Sequence, residues 1–241
     1  MGKVPEAAFY LGDTVELARH LLGKLLVHDT PEGVTGGMIV ETEAYVGSLD
    51  KACHAWQNRS ARTEVMFHAG GVAYVYLIYG MHHCFNVVTG PEGEGNAVLI
   101  RALEPVLGVD LMKRRRGTAS ERNLCSGPGK LCQALAITRA DYGADLRHGS
   151  LRILEYRNIP ASEIAVSERV NVEYAEEAAR FPWRFTVRDN PFVSKVPGHT
   201  SKSSEKKKKY IKKADFVNFG LTSGRRGFIM RVSLLIEARC L

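Results

Sequence analysis

Residues 38–45, Met-Ile-Val-Glu-Thr-Glu-Ala-Tyr, constrain the fold more than any other stretch of this sequence. Apolar and polar side chains alternate along the run, which predicts a β-strand with one buried face. Because side chains two apart share a face of a strand, Glu41, Glu43 and Tyr45 are expected to lie together. Two carboxylates on such a strand are costly unless they are paired or used in chemistry. The run therefore predicts a β-sheet with a polar site on one strand.

A second unusual segment, residues 74–88, predicts two strands joined by a tight turn at Tyr79-Gly80-Met81. Glycine supplies the backbone freedom that such a turn needs. An aromatic side chain at the tip and tyrosines on the strand behind it indicate a surface that stacks on flat ligands. Two other interpretations stay open: Tyr79 as a strand-end aromatic, and Tyr74 and Tyr76 as core residues. Tyr74 is assigned to the core.

The net charge of +7 is unevenly distributed along the 241 residues. From Lys202 onward, eleven Lys and Arg face three acids, a net of +8, so the preceding 201 residues carry −1. The basic balance therefore belongs to the end of the chain and does not by itself argue for a nucleic-acid partner. We expect one domain over residues 1–196 and a basic, disordered tail over 197–241. The tail lysines could add non-specific DNA affinity, or the tail could have no role in catalysis.

Other general features exclude several classes of protein. The sequence contains no run of 18 or more apolar residues, so no membrane span is predicted. The first residues lack the apolar core of a signal peptide. Five cysteines form no small disulfide framework, so reduced thiols are expected.

The remaining pattern predicts a mixture of helices and strands. Asp13 is placed to cap a helix over 14–22, and Arg101 lies inside an apolar strand over 97–103. Further strands are predicted at 24–28, 151–155 and 183–188, and further helices at 109–115 and around 173–180. The turn at 126–130 suits a phosphate at a helix start, or it is an ordinary helix start with proline in the first turn. For Arg101 two interpretations stay equally open: a functional residue, or an arginine at a strand end that is paired with a surface acid.

Several motifs in fixed order resemble the alkyladenine (3-methyladenine) DNA glycosylase family. They are VETEAYVG, His54, YVYLIYGM, Asn86, IRALEP at 100–105 and LCSGPGKLCQALAI at 124–137, and the resemblance covers about residues 5–195. It implies an α+β fold: a single mixed domain on a curved, mostly antiparallel β-sheet with a protruding β-hairpin. It also implies a monofunctional enzyme that hydrolyses the N-glycosidic bond of alkylated or deaminated purines in duplex DNA. No cofactor, no metal and monomeric action are expected.

The resemblance assigns roles to particular residues. Glu43 would be the general base and Arg101 would help to hold the attacking water. The backbone carbonyl of Val193 would be another contact of that water. Tyr45, His54 and Tyr76 would sandwich the flipped purine, Asn86 would disfavour a guanine-type amine, and Tyr79, supported by Met81, would fill the vacated space in DNA. Glu41 is a rival carboxylate, but it is better explained as the partner of a nearby basic group.

The residues argue against one other function and leave a second one open. A zinc deaminase needs H-x-E followed by P-C-x-x-C, and neither motif is present. His82-His83-Cys84 is a poor metal chelate, because neighbouring strand residues point to opposite faces. A non-catalytic DNA-binding module is the better alternative. Localisation would be cytoplasmic, with the nucleoid, in a bacterium, and nuclear in a eukaryote.

Overall fold

The computed structural model describes residues 2–57 and 59–195, which form one α+β domain. Its main element is an eight-stranded antiparallel sheet, which confirms the α+β fold with a mostly antiparallel sheet that the resemblance implied. The strands are β1 (Leu25–Thr30), β2 (Gly33–Tyr45), β3 (Ala73–Ile78), β4 (His82–Thr89), β5 (Asn96–Leu107), β6 (Leu151–Leu154), β7 (Ile164–Ser167) and β8 (Arg184–Val187). Six follow the order β3-β4-β5-β2-β1-β6, and β8 pairs with both β2 and β7. Strand β7 was not predicted.

The central strand β2 organises the sheet. It pairs with β5 along one edge, and with β1 and then β8 along the other. Every residue from 35 to 44 is buried, so the prediction of a single buried face is wrong. The pairing of β2 with β5 shifts register on either side of Glu41, so that Val40 and Arg101 have no direct partner there. Such bulges re-aim side chains, here toward the site described below.

The predicted hairpin is present as β3 and β4. Its turn is closed by the N–H of Met81, which donates to the carbonyl of Ile78 at 3.2 Å. Tyr79 and Gly80 both have positive φ, 52° and 68°, as in the turns that match the twist of paired strands. A tyrosine in this backbone region is uncommon, so the tip conformation is imposed by the turn rather than by residue preference.

Three α-helices and several 3₁₀ turns pack around the sheet. The α-helices are α1 (Thr14–His20), α2 (Val109–Arg116) and α3 (Pro128–Leu135). Asp13 caps α1 as predicted, because its Oδ1 accepts the N–H of Glu16 at 2.9 Å. Pro128 opens α3, where a missing N–H has no cost. The helix predicted near 173–180 is instead a pair of 3₁₀ turns with a kink at Glu176, whose φ is 55°.

The described residues contain no helix that is long and apolar enough to cross a membrane. Cys53, Cys84, Cys125 and Cys132 are buried free thiols. Cys240 and the predicted tail at 197–241 lie outside the described residues, so the proposed domain boundary stays a prediction.

Candidate active site

A cavity of about 390 Å³ opens at the base of the hairpin. It lies between the end of β2, the strands β3 to β5 and the start of α3. Six of the predicted site residues border it: Tyr45, His54, Tyr76, Tyr79, Asn86 and Arg101. These residues come from four separate parts of the chain, and the sheet brings them together. The volume is in the range of small-molecule sites.

Aromatic rings form one end of the cavity. The His54 and Tyr76 rings meet edge to face with centroids 4.7 Å apart, and Tyr74 lies 5.3 Å from Tyr76. Tyr74 is 1% exposed and packs in the core, as predicted, although part of it also borders the cavity. Tyr45 lines the cavity from β2. The cavity therefore offers aromatic surface to a planar ligand.

His54 is held in its neutral form. Burial and, to a smaller extent, the nearby Arg62 charge together lower the pKa of His54 to about 4. Its Nδ1 lies 2.9 Å from the hydroxyl of Tyr74. Burial raises the pKa of the Tyr74 hydroxyl to about 12, although the Arg62 charge acts in the opposite direction. The tautomer of His54 decides which of the two groups donates.

Asn86 is fixed from the neighbouring strand. Its side-chain amide donates to the backbone carbonyl of Tyr74 at 3.0 Å, and the residue is 4% exposed. Asn86 also borders the cavity, so a polar side chain is present on a wall that is otherwise largely aromatic.

Glu43 is enclosed by three hydrogen-bond donors. Its Oε2 accepts from the Tyr45 hydroxyl at 2.8 Å and from Arg101 Nη1 at 3.3 Å, and its Oε1 accepts the Val170 N–H at 2.8 Å. Glu43 itself is 0% exposed and does not border the cavity, whereas all three donors do. The carboxylate therefore lies one residue behind the cavity wall.

Glu41 has the structural role that the sequence favoured. It accepts from Arg101 at 3.0 Å, from Arg184 at 2.8 Å and from both the N–H and the hydroxyl of Ser194. Burial alone would raise the pKa of Glu41, but the two guanidinium charges and the Ser194 N–H bring it below its ordinary value. Glu41 is thus an ionised anchor, and Arg101 is a buried residue paired to two carboxylates rather than a surface arginine.

The structure does not bring Val193 to this cavity. Val193 borders a separate cavity with Ser120, Arg122 and Lys195, and its neighbour Ser194 binds Glu41. The backbone that reaches Glu43 is that of Val170. The predicted water contact at Val193 stays a prediction, and the residue next to it, Ser194, binds the other glutamate.

Sequence reasoning missed a buried ion pair behind Tyr45. Arg169 and Asp50 are joined through both guanidinium Nη atoms, and both side chains are 0% exposed. Arg169 also donates to the carbonyls of Ala44 and Ala178 at 2.9 Å. Its guanidinium lies 4.7 Å from the centroid of the Tyr45 ring. No local pattern marks the pair, because its members are 119 residues apart.

The loop after Arg169 was also missed as part of the site. Val170, Asn171 and Tyr174 border the cavity, and Asn171 has a positive φ of 59°. Asparagine is one of the few residues that adopt this conformation readily, which is the single signal the sequence offered here.

The hairpin tip projects into solvent. Tyr79 is 80% exposed and Met81 is 71% exposed. Tyr79 borders the mouth of the cavity, whereas Met81 lies on the far side of the turn and borders another depression beside α3. Within the described chain, His, Cys and carboxylate side chains form no group of three or more suited to a metal ion.

One domain therefore holds an aromatic cavity, a buried arginine–carboxylate cluster and an exposed tyrosine at the hairpin tip. Residues 8–191 match the methylpurine-DNA glycosylase (MPG) family. A Bacillus cereus (strain G9842) protein named "Putative 3-methyladenine DNA glycosylase" is 50% identical over 202 residues, covering 78% of this chain and 97% of its own length. A Bacillus anthracis (strain CDC 684 / NRRL 3495) protein of the same name is 49% identical over 199 residues, with the same coverage.

The chain therefore belongs to the methylpurine-DNA glycosylase family. It is a DNA glycosylase, a hydrolase of N-glycosyl bonds whose substrate is DNA and whose process is base excision repair.

Proposed function

We propose that this enzyme excises alkylated and deaminated purines, 3-methyladenine and hypoxanthine among them, from duplex DNA, as a monomer and without cutting the strand. The observation that carries the proposal is the aromatic cavity directly behind an exposed hairpin tip. A base inside a duplex cannot reach such a cavity, so the nucleotide has to be rotated out of the stack at a cost of a few kcal/mol.

The hairpin supplies the group that replaces the base. Apolar or aromatic wedges inserted from the minor groove are the usual means of holding an opened step. Tyr79 stands at the turn with most of its surface free, and Met81 lies beside it. We assign intercalation to Tyr79 and its support to Met81.

The cavity wall supplies the grip on the flipped base. Stacking on Tyr45 and on the Tyr76–His54 pair is worth roughly 1–3 kcal/mol per base and tolerates many purines. Asn86 presents its amide at the cavity wall, where it disfavours a guanine-type exocyclic amine. This combination fits an enzyme that accepts several lesions but leaves normal guanine in place.

The reaction transfers water to the sugar. The water oxygen bonds to C1′ while the bond from C1′ to the base breaks, and the bonding electrons leave with the base. The water proton passes to the Glu43 carboxylate, which also stabilises positive charge on the sugar. Arg101 stays charged, because Glu43 and Glu41 outweigh the effect of burial and raise its pKa. No lysine borders the cavity in the described part of the chain, so no Schiff base is proposed.

Glu43 has to be uncovered before it can accept that proton. Tyr45 both lines the cavity and donates to Glu43, so a base stacked on Tyr45 acts directly on the residue that covers the carboxylate. We propose that base entry shifts the Tyr45 hydroxyl from Oε2 and admits the attacking water.

The test is release of free base from duplexes that contain one 3-methyladenine or one hypoxanthine. We expect the wild type to release base and leave an intact strand with an abasic site. Glu43→Gln should bind the same duplexes and release no base, while Glu64→Gln, an exposed glutamate paired with Arg59, should behave as wild type. Binding without release by the wild type would support the non-catalytic DNA-binding module instead.

A further inference from the structure

An arginine lies behind each of the two tyrosines assigned to stacking. The guanidinium carbon of Arg169 is 4.7 Å from the Tyr45 ring centroid, and that of Arg62 is 5.0 Å from the Tyr76 ring centroid. Both tyrosines border the cavity, and neither arginine does. Each ring therefore separates the base-binding space from a positive charge.

The two arginines differ in how their charge is balanced. Arg169 is fully buried and is joined to the Asp50 carboxylate. Arg62 forms no ion pair with a carboxylate among the described residues. It lies in a depression of about 240 Å³ on the outer side of Tyr76, and a second arginine, Arg139, borders the same depression. The positive charge behind Tyr76 is thus the one that no neighbouring acid cancels.

Arg62 also acts on the other aromatic residue of this wall. Its charge lowers the pKa of His54, whose Nδ1 lies 2.9 Å from the Tyr74 hydroxyl, and so helps to keep His54 neutral. Because His54 is neutral, the wall formed by Tyr76 and His54 carries no positive charge of its own. The positive charge behind this wall is that of Arg62.

A formal positive charge on the bound purine changes the energy of this arrangement. The negative face of a tyrosine ring attracts a cation. A guanidinium on the opposite face opposes that attraction, because two like charges then face each other across one ring. A neutral purine keeps its stacking energy and feels no such repulsion.

We propose that Arg62 is a specificity-determining residue that favours neutral purine lesions over cationic N3- or N7-alkylated purines. The inference rests on the proposed excision of purines, and it states which of those lesions the Arg62 charge favours. Arg62 sets the ratio of the two activities and is not required for either.

The test compares one neutral and one cationic lesion in the same duplex sequence. Single-turnover release of hypoxanthine and of 7-methylguanine is measured with enzyme in excess, for wild type, Arg62→Met and Arg62→Lys. Arg59→Met is the matched control, since Arg59 is also exposed and lies 4.8 Å from an aromatic ring, that of Phe67, outside the cavity.

We expect Arg62→Met to raise the ratio of the 7-methylguanine rate to the hypoxanthine rate by roughly two- to fivefold, for a screened charge roughly 8–9 Å from the base. Arg62→Lys and Arg59→Met should keep the wild-type ratio. Added salt should raise the ratio in the wild type and leave it unchanged in Arg62→Met.

An unchanged ratio in Arg62→Met, with both rates equal to wild type or lowered alike, would overturn the inference and leave the proposed function intact. Failure of the wild type to release either base would overturn the proposed function as well.

Discussion

Replacing Asp50 with asparagine tests whether the pair with Arg169 holds the wall of the cavity. The substitution keeps the shape of the side chain and removes its charge. The Arg169 guanidinium would then remain fully buried, with the carbonyls of Ala44 and Ala178 as its main acceptors. Breaking a buried pair by removing one partner costs about 3–5 kcal/mol, because the other charge is left without compensation. We therefore expect Asp50→Asn to lower the free energy of unfolding by about that amount.

Urea unfolding at neutral pH, followed by tryptophan fluorescence, measures this change. Trp183 is a suitable reporter, because Arg169 lies 5.3 Å from its ring centroid. Glu64→Gln, which breaks the exposed pair with Arg59, is the control and should leave the unfolding midpoint unchanged. A loss of less than about 1 kcal/mol in Asp50→Asn would refute the reasoning, since the guanidinium would then be satisfied without its carboxylate.

Three further predictions concern residues of the site. Tyr79→Ala should slow excision of a well-paired lesion more than excision of the same lesion opposite a gap, because the wedge is needed to empty the stack; equal slowing in single-turnover assays would contradict this. Tyr45→Phe keeps the ring and removes the hydroxyl that covers Glu43, so the single-turnover rate of excision should be unchanged or higher. A fall of more than about tenfold in that rate (about 1.4 kcal/mol) would speak against displacement of Tyr45. Because the folded pKa of His54 is about 4 and its ordinary value is 6.5, the unfolded chain binds more protons between these values. Wild type should therefore lose up to about 3 kcal/mol of stability as the pH falls from 6.5 to 4, and His54→Gln should lose less when both are unfolded in urea across this range; parallel losses would contradict the assignment.

Local signals predicted the parts of the fold that depend on local structure. The Asp13 cap, the proline at the start of α3 and the turn at Gly80 act within a few residues of themselves, and each was found where the sequence placed it. The α-helix predicted near 173–180 was wrong, because Glu176 has a φ of 55°, which no α-helix accommodates, and the segment forms 3₁₀ turns on either side of it.

The arrangement of the site could be predicted only in part. The shared face of Glu41, Glu43 and Tyr45 followed from strand geometry, whereas the contact of both glutamates with Arg101 is visible only in the folded sheet. Burial of both faces of β2 did not follow, because the second face is covered by segments more than a hundred residues further along the chain.

Long separation along the chain also explains two contacts that the sequence did not predict. The N–H of Val170 binds Glu43 and the N–H of Ser194 binds Glu41, and only the folded chain shows which backbone meets which glutamate. Arg169 could not be recognised, because its partner Asp50 lies in an irregular connection with no distinguishing pattern.

The contacts of Glu41 join residues that are synthesised at different times. Glu41 is made early, yet two of its hydrogen-bond donors, Arg184 and Ser194, are made near the end of the described chain. A nascent polypeptide that stops short of them would have to bury a bare carboxylate or leave β2 open to solvent. The cluster around Glu41 is therefore expected to close only after nearly all of the described domain has left the ribosome.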